Sequence, residues 1–188
     1  MTARWVVSIS EARDLHVVWE PISLRMKNDV SPDSEHYPVV AWSTKLLRVM
    51  ESAREAGGDD AVFPLYLEYG RRIHHDGERE WAPAAALAAV GLDASHAAAA
   101  EDASWDEVVR RRMDEGLALV GPDVGTPLIA YETADGRTVA NFGPVIAEVP
   151  PDEDGLRLWD AFTTLTEMDG FFELKRARSQ RPQFGDRP

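Results

Sequence analysis

Three short stretches hold residues whose types invite chemistry. His74-His75 suggests a metal, but adjacent residues on a helix point about 100° apart and cannot share one ion without a break. No Glu-x-x-His or His-x-x-x-His spacing supports them, and histidines at a helix end interact well with its carbonyls. No metal ligand is therefore assigned. Asp59-Asp60 reads as a helix cap and not as an acid/base pair. Gly125-Thr126-Pro127 directly precedes an apolar run, Leu128-Ile129-Ala130-Tyr131. A proline is allowed at the mouth of a strand, where the N–H is dispensable. An X-Pro bond is also where a cis peptide costs only about 0.5–1 kcal/mol. The chain has no Gly-x-Ser-x-Gly elbow, no Gly-x-Gly-x-x-Gly and no P-loop. It has no cysteine, so no disulfide, thiolate nucleophile or thiolate metal site can be built from it. No catalytic residue is assigned.

The elements that must position these residues follow from periodicity. Residues 2–12 read as a helix with Trp5, Ile9 and Ala12 on one face. His16-Val17-Val18-Trp19, stopped by Pro21, reads as a strand. Residues 25–36 are polar, contain Ser-Pro, and read as a connector. A helix follows from Tyr37, with Val39, Trp42, Leu46, Val49, Met50 and Ala53 on its apolar face and Gly57-Gly58 as its stop. Asp60 is placed to cap a second helix that buries Val62, Leu65, Tyr69 and Ile73. Trp42 and Tyr69 read first as core, and second as the lining of a pocket under a helical lid. Pro83 opens a short helix through Val90, and an alanine-rich turn follows Asp93. Ser104-x-x-Glu107 fits a capping box opening a long helix. Ala134-Asp135-Gly136 supplies a hairpin turn between Leu128–Tyr131 and Thr138–Phe142. Asp152 is placed to cap a last helix that buries Leu156, Trp159, Phe162 and Leu165, and an extended basic tail ends the chain. The order is helix, strand, four or five helices, hairpin, helix. It predicts an α/β frame (residues 1–32 and 121–188) with a helical insertion (residues 33–120).

Lys+Arg number 20 against 33 Asp+Glu, a formal net charge of -13. That balance repels nucleic-acid phosphates and anionic membrane surfaces. No run of about 18 apolar residues exists for a membrane span, and no signal peptide is visible at the start. A cytoplasmic location is expected.

A Thr-Pro entering an antiparallel hairpin, followed by a last helix, matches the C-terminal half of a thioredoxin-type unit. The segments ARWVVSISEARDLHVVWEPISL, FPLYLEYGRRIHHDG, VGPDVGTPLIAY, NFGPV, LRLWDAF and FFELKRARSQRPQF span nearly the whole chain. In that order they resemble the DsbA-like, thioredoxin-fold family of actinobacterial proteins that includes the mycothiol-dependent nitroreductases. The resemblance implies an α/β thioredoxin-like fold with an inserted helical domain. It also implies a low-molecular-weight thiol or disulfide as partner, with mycothiol as co-substrate and no resident cofactor. Gly125, Thr126 and Pro127 would form a cis-proline loop presenting its backbone to that thiol; Trp42 joins them as a candidate substrate-binding residue from its helix face alone, as the lining of a pocket under the hairpin.

The chain departs from the family at one point. Relatives have a strand leading into Cys-x-x-Cys at the start of the first helix, where the helix dipole favours a thiolate. This sequence begins at the residues that would follow that motif. The expectation is that the natural reading frame extends upstream through that first strand. The 188-residue form is then expected to be inactive in thiol–disulfide exchange and to oligomerise through exposed strand edges. Two rival readings remain: a redox-dead thioredoxin fold that binds a peptide or small thiol, and a thiol transferase resembling the kappa-class glutathione transferases.

Overall fold

The computed structural model describes residues 1–187. Seven α-helices and two strands are found among them: α1 Thr2–Ser10, α2 Leu24–Lys27, α3 Tyr37–Gly57, α4 Val62–His74, α5 Pro83–Ala89, α6 Trp105–Val120, β1 Leu128–Glu132, β2 Thr138–Phe142 and α7 Asp152–Thr166. Short 3-10 turns span Asp59–Ala61 and Ala94–Glu101. The fold is mixed α/β, mostly helical, and consistent with a thioredoxin-like architecture. The described residues form two compact units, residues 1–17 with 115–185, and residues 18–114 with 186–187.

The first unit is built on the β1–β2 hairpin, which pairs antiparallel with Leu128 opposite Phe142 and Glu132 opposite Thr138. Its turn closes as expected of Asp-Gly. Gly136 takes φ +80°, its N–H donates to the Thr133 carbonyl at 2.9 Å, and the Thr133 N–H donates to the Arg137 carbonyl at 2.9 Å. Ile129 and Tyr131 pack with Trp5, Val6 and Ile9 of α1 and Trp159 and Phe162 of α7. Burying these side chains stabilises the unit by about 25 cal/mol per Å² of apolar surface. Gly155 is needed where α7 meets α1: a Cβ there would lie 3.3 Å from Ile9 and 3.4 Å from Trp5. That close approach lets the Trp5 indole donate to the Gly155 carbonyl at 2.9 Å.

No strand forms at His16–Trp19. The sheet has two strands among the described residues. The segment does alternate, with His16, Val18 and Glu20 outward and Leu15, Val17 and Trp19 inward. Its β-branched and aromatic residues suit a pleated surface, but no neighbouring chain completes a ladder, and propensity without a partner makes only extended chain.

The second unit is helical. α3, α4, α5 and the Ala94–Glu101 turn enclose Leu46, Val49, Met50, Ala53, Val62, Leu65, Tyr69, Ala86, Leu87 and Ala100. The stop at Gly57-Gly58 holds: Gly58 takes φ +74° and its N–H donates to the Arg54 carbonyl at 2.8 Å. Val39 and Ile73 were expected inside and are exposed. Each sits toward one end of its helix, where the buried stripe runs out.

The connector at residues 25–36 conceals α2. The Ser23 hydroxyl accepts from the Met26 N–H at 3.3 Å and starts a single turn too short to show periodicity. Asp60 caps nothing: it lies inside the 3-10 turn, and α4 starts from Ala61. Asp152 is the first helical residue of α7 and not its cap, which is Pro151. Its charge still favours that end of the helix dipole. At α6 the Ser104 N–H is taken by the Asp102 carboxylate at 2.9 Å, in place of the Glu107 expected of a capping box.

Candidate functional site

In the first unit, α6 ends at Gly121, whose φ of +89° lets its N–H reach back to the Leu117 carbonyl at 2.8 Å. The chain turns through Pro122-Asp123 and enters β1 through Gly125, Thr126 and Pro127. The Thr126–Pro127 peptide bond is cis, as is Gly143–Pro144 across the hairpin. The Pro127 carbonyl accepts from the Gly143 N–H at 2.9 Å, and the Pro144 carbonyl accepts from the Thr2 hydroxyl at 2.8 Å. These two bonds bring the loop beside the first turn of α1. Gly125 lies against the Phe142 ring, which a Cβ would meet at 3.4 Å.

Gly125 and Thr126 are exposed, and their N–H and C=O groups make no hydrogen bond among the described residues. The loop thus presents paired backbone donors and acceptors beside a helix N-terminus, whose partial positive charge favours anionic or thiolate groups. The tail closes on the same turn. The Arg4 guanidinium donates to the Phe184 carbonyl at 2.6 Å, and the Gln183 N–H donates to the Ala147 carbonyl at 2.6 Å. Arg4, Thr2 and Pro144 escaped the reading for function because their roles are made by backbone carbonyls distant in sequence.

Trp42 belongs to the second unit. It is half-buried on α3 and meets Trp81 edge-on, ring centroids 5.6 Å apart at 87°. Tyr69 of α4 packs on the same Trp81 at 6.1 Å. Trp81 sits in the loop between α4 and α5, where no periodicity could mark it. Sequence pattern also missed Glu51, buried at 2% exposure on α3 between Arg54 at 3.2 Å and Arg112 at 3.0 Å. Burial pushes the Glu51 carboxyl above its ordinary value, against the opposing pull of Arg54 and Arg112. Arg54 also donates to Asp59 and to the Trp19 carbonyl, and Arg112 reaches Glu20 at 3.2 Å. Glu51 lies about 150° around α3 from its apolar stripe, on the side that periodicity assigns to water, so a charged group buried there by pairing is invisible to the pattern.

Among the described residues no three His, Cys, Asp or Glu side chains gather as a metal site. No helix is long and apolar enough to cross a membrane.

A hairpin entered through Thr-Pro and covered by α1 and α7 gives the class: a mixed α/β protein, consistent with a thioredoxin-like fold, with its exposed loop at a helix N-terminus. Residues 1–176 match the family model of the Rv2466c-like proteins, described as mycothiol-dependent nitroreductase Rv2466c. The chain belongs to that family.

Proposed function

We propose that this chain carries the thiol-binding face of a DsbA-like, mycothiol-dependent oxidoreductase. Mycothiol or its disulfide lies along Gly125, Thr126 and Pro127, with an amide of the thiol paired to the free N–H and C=O of Thr126. The sulfur points toward the first turn of α1, where the helix dipole favours negative charge. The observation that carries this reading is the loop's backbone, exposed and unpaired at Gly125 and Thr126 but anchored on either side through Pro127, Gly143, Pro144 and Thr2. Preorganised groups of this kind bind with little ordering cost.

Thiol–disulfide exchange needs an attacking thiolate, and none of these 188 residues is cysteine. The chain therefore binds the thiol without turning over a disulfide, as a redox-dead binding module. The test is calorimetric titration of the chain with mycothiol disulfide, beside a Thr126→Arg variant. Thr126 is exposed, so the variant should fold within about 0.5 kcal/mol of the parent. Saturable binding weakened at least about tenfold in the variant is expected, since the arginine covers the loop's backbone groups. Equal affinity of the two proteins would dismiss the loop.

A further inference from the structure

After α7 the chain leaves both apolar and basic side chains in water. Phe172 and Leu174 are 86% and 82% exposed, more than any other large apolar residue described. Scattered exposed apolar residues are ordinary, but these two are close together, with exposed Met168 just before them. Four cations follow directly: Lys175, Arg176, Arg178 and Arg181. Lys175 lies 4.0 Å from Glu173. Arg176, Arg178 and Arg181 make no ion pair among the described residues, although the chain has 33 Asp+Glu against 20 Lys+Arg.

The segment is tethered at both ends within the first unit. Gly170 takes φ +83°, and the Phe171 N–H donates to the Met168 carbonyl at 3.2 Å. At the far end the Gln183 N–H donates to the Ala147 carbonyl at 2.6 Å, and the Arg4 guanidinium to the Phe184 carbonyl at 2.6 Å. Between these anchors residues 171–182 form neither helix nor strand. The apolar block comes first and the basic block second, and that order narrows the partner. Leu174 has no face on which a base can stack, which disfavours single-stranded nucleic acid. An anionic lipid surface suits both blocks: hydrocarbon takes Phe and Leu, and headgroup phosphates take Lys and Arg. From Lys175 to Arg181 the chain reaches up to about 20 Å, enough to lie across several headgroups. The acid excess elsewhere opposes such a contact, but it is screened beyond about 8 Å at physiological ionic strength.

We propose that residues 171–181 are a peripheral, reversible contact for an anionic membrane surface. Phe172 and Leu174 enter the acyl boundary, and Arg176, Arg178 and Arg181 lie among the headgroups. No span is involved, since no helix described is long and apolar enough to cross a membrane. A formal net charge of -13 alone predicts repulsion, and the placement of the cations reverses it at this segment.

The test is co-sedimentation of the whole chain with vesicles, either of phosphatidylcholine alone or of an equimolar mixture with phosphatidylglycerol. The chain is expected on the mixed vesicles and not on the neutral ones, and added salt should release it. Two variants separate the blocks: Phe172→Ser with Leu174→Ser, and Arg176→Gln with Arg178→Gln and Arg181→Gln. All five side chains are exposed, so both variants should unfold as the parent does. The serine variant should lose at least about tenfold in partitioning. The glutamine variant should lose about a hundredfold, near fivefold for each arginine. No partition onto the mixed vesicles, equal partition onto the neutral ones, or parental binding by the serine variant would overturn the proposal. So would a single-stranded oligonucleotide held as tightly as the mixed vesicles. Self-association of the parent that the serine variant lacks would also overturn it, by making a second copy the cover. No thiol is present, so failure here leaves the Thr126 loop untouched.

Discussion

Both units bury aromatic rings, yet they treat the polar ends of those rings in opposite ways. In the first unit the Trp5 indole donates to Gly155, and the Tyr131 hydroxyl donates to the Thr163 carbonyl at 3.1 Å and to Glu167 at 3.2 Å. In the second, Trp42, Tyr69 and Trp81 keep their donors unpaired. The two tyrosines carry the contrast. Burial raises both, with Tyr131 pushed up to about 12 and helped there by Glu167, while Tyr69 rises by burial alone. A satisfied polar network fixes one arrangement of a core, and an unsatisfied one leaves a reason to rearrange. The polar ends of these rings are thus held in one arrangement in the first unit and left unheld in the second.

The largest test of that contrast is Trp5→Ala. Trp5 is 0% exposed and joins α1 to α7, so its loss should cost about 3–5 kcal/mol in chemical denaturation. Nothing of that size is expected from Trp81→Phe, which keeps most of the ring and removes an N–H that has no partner. A smaller effect, within about 1 kcal/mol of the parent at neutral pH, is expected from Glu51→Gln, because burial disfavours the charged carboxyl more than Arg54 and Arg112 favour it, and the two arginines keep Asp59 and Glu20 as partners. Its signature lies in the pH profile. The native Glu51 carboxyl holds its proton to higher pH than in the unfolded chain. Its contribution therefore falls as pH rises from the ordinary carboxylate value through the raised one. Denaturation midpoints measured across that window should lose this component in the glutamine variant.

The finest test is the pair of tyrosines. Tyr131→Phe discards the one hydroxyl hydrogen shared between the Thr163 carbonyl and Glu167 and should destabilise by about 1 kcal/mol. Tyr69→Phe discards a buried hydroxyl with no partner and should be neutral or stabilising by up to about 1 kcal/mol. Matching losses in the two variants would erase the distinction between the units.

Much of this organisation is legible in the sequence, and the exceptions share a cause. The β1–β2 hairpin, its Asp135-Gly136 turn, the stop of α3 at Gly57-Gly58 and the apolar faces of α1, α4 and α7 follow from local rules acting on neighbouring residues. The Thr126-Pro127 entry to β1 is legible for the same reason. His16–Trp19 has strand chemistry but needs a partner that local pattern cannot provide. Asp60, Asp152 and Ser104 are good caps by type, but competing local geometry placed each differently. The alternatives were a 3-10 turn, a proline cap and the Asp102 carboxylate. Trp81, Glu51 and the anchors Thr2 and Arg4 depend on residues remote in sequence, so no spacing could reveal them.

The central claim is that the chain keeps a thiol-binding loop without a redox centre. Backbone amide NMR of the 188-residue chain during titration with mycothiol tests it most directly. The account predicts saturable shifts led by the Gly125 and Thr126 N–H signals, extending to Thr2, with no change in the redox state of added mycothiol disulfide. Shifts that spare residues 124–127, or steady reduction of that disulfide by the purified chain, would contradict it.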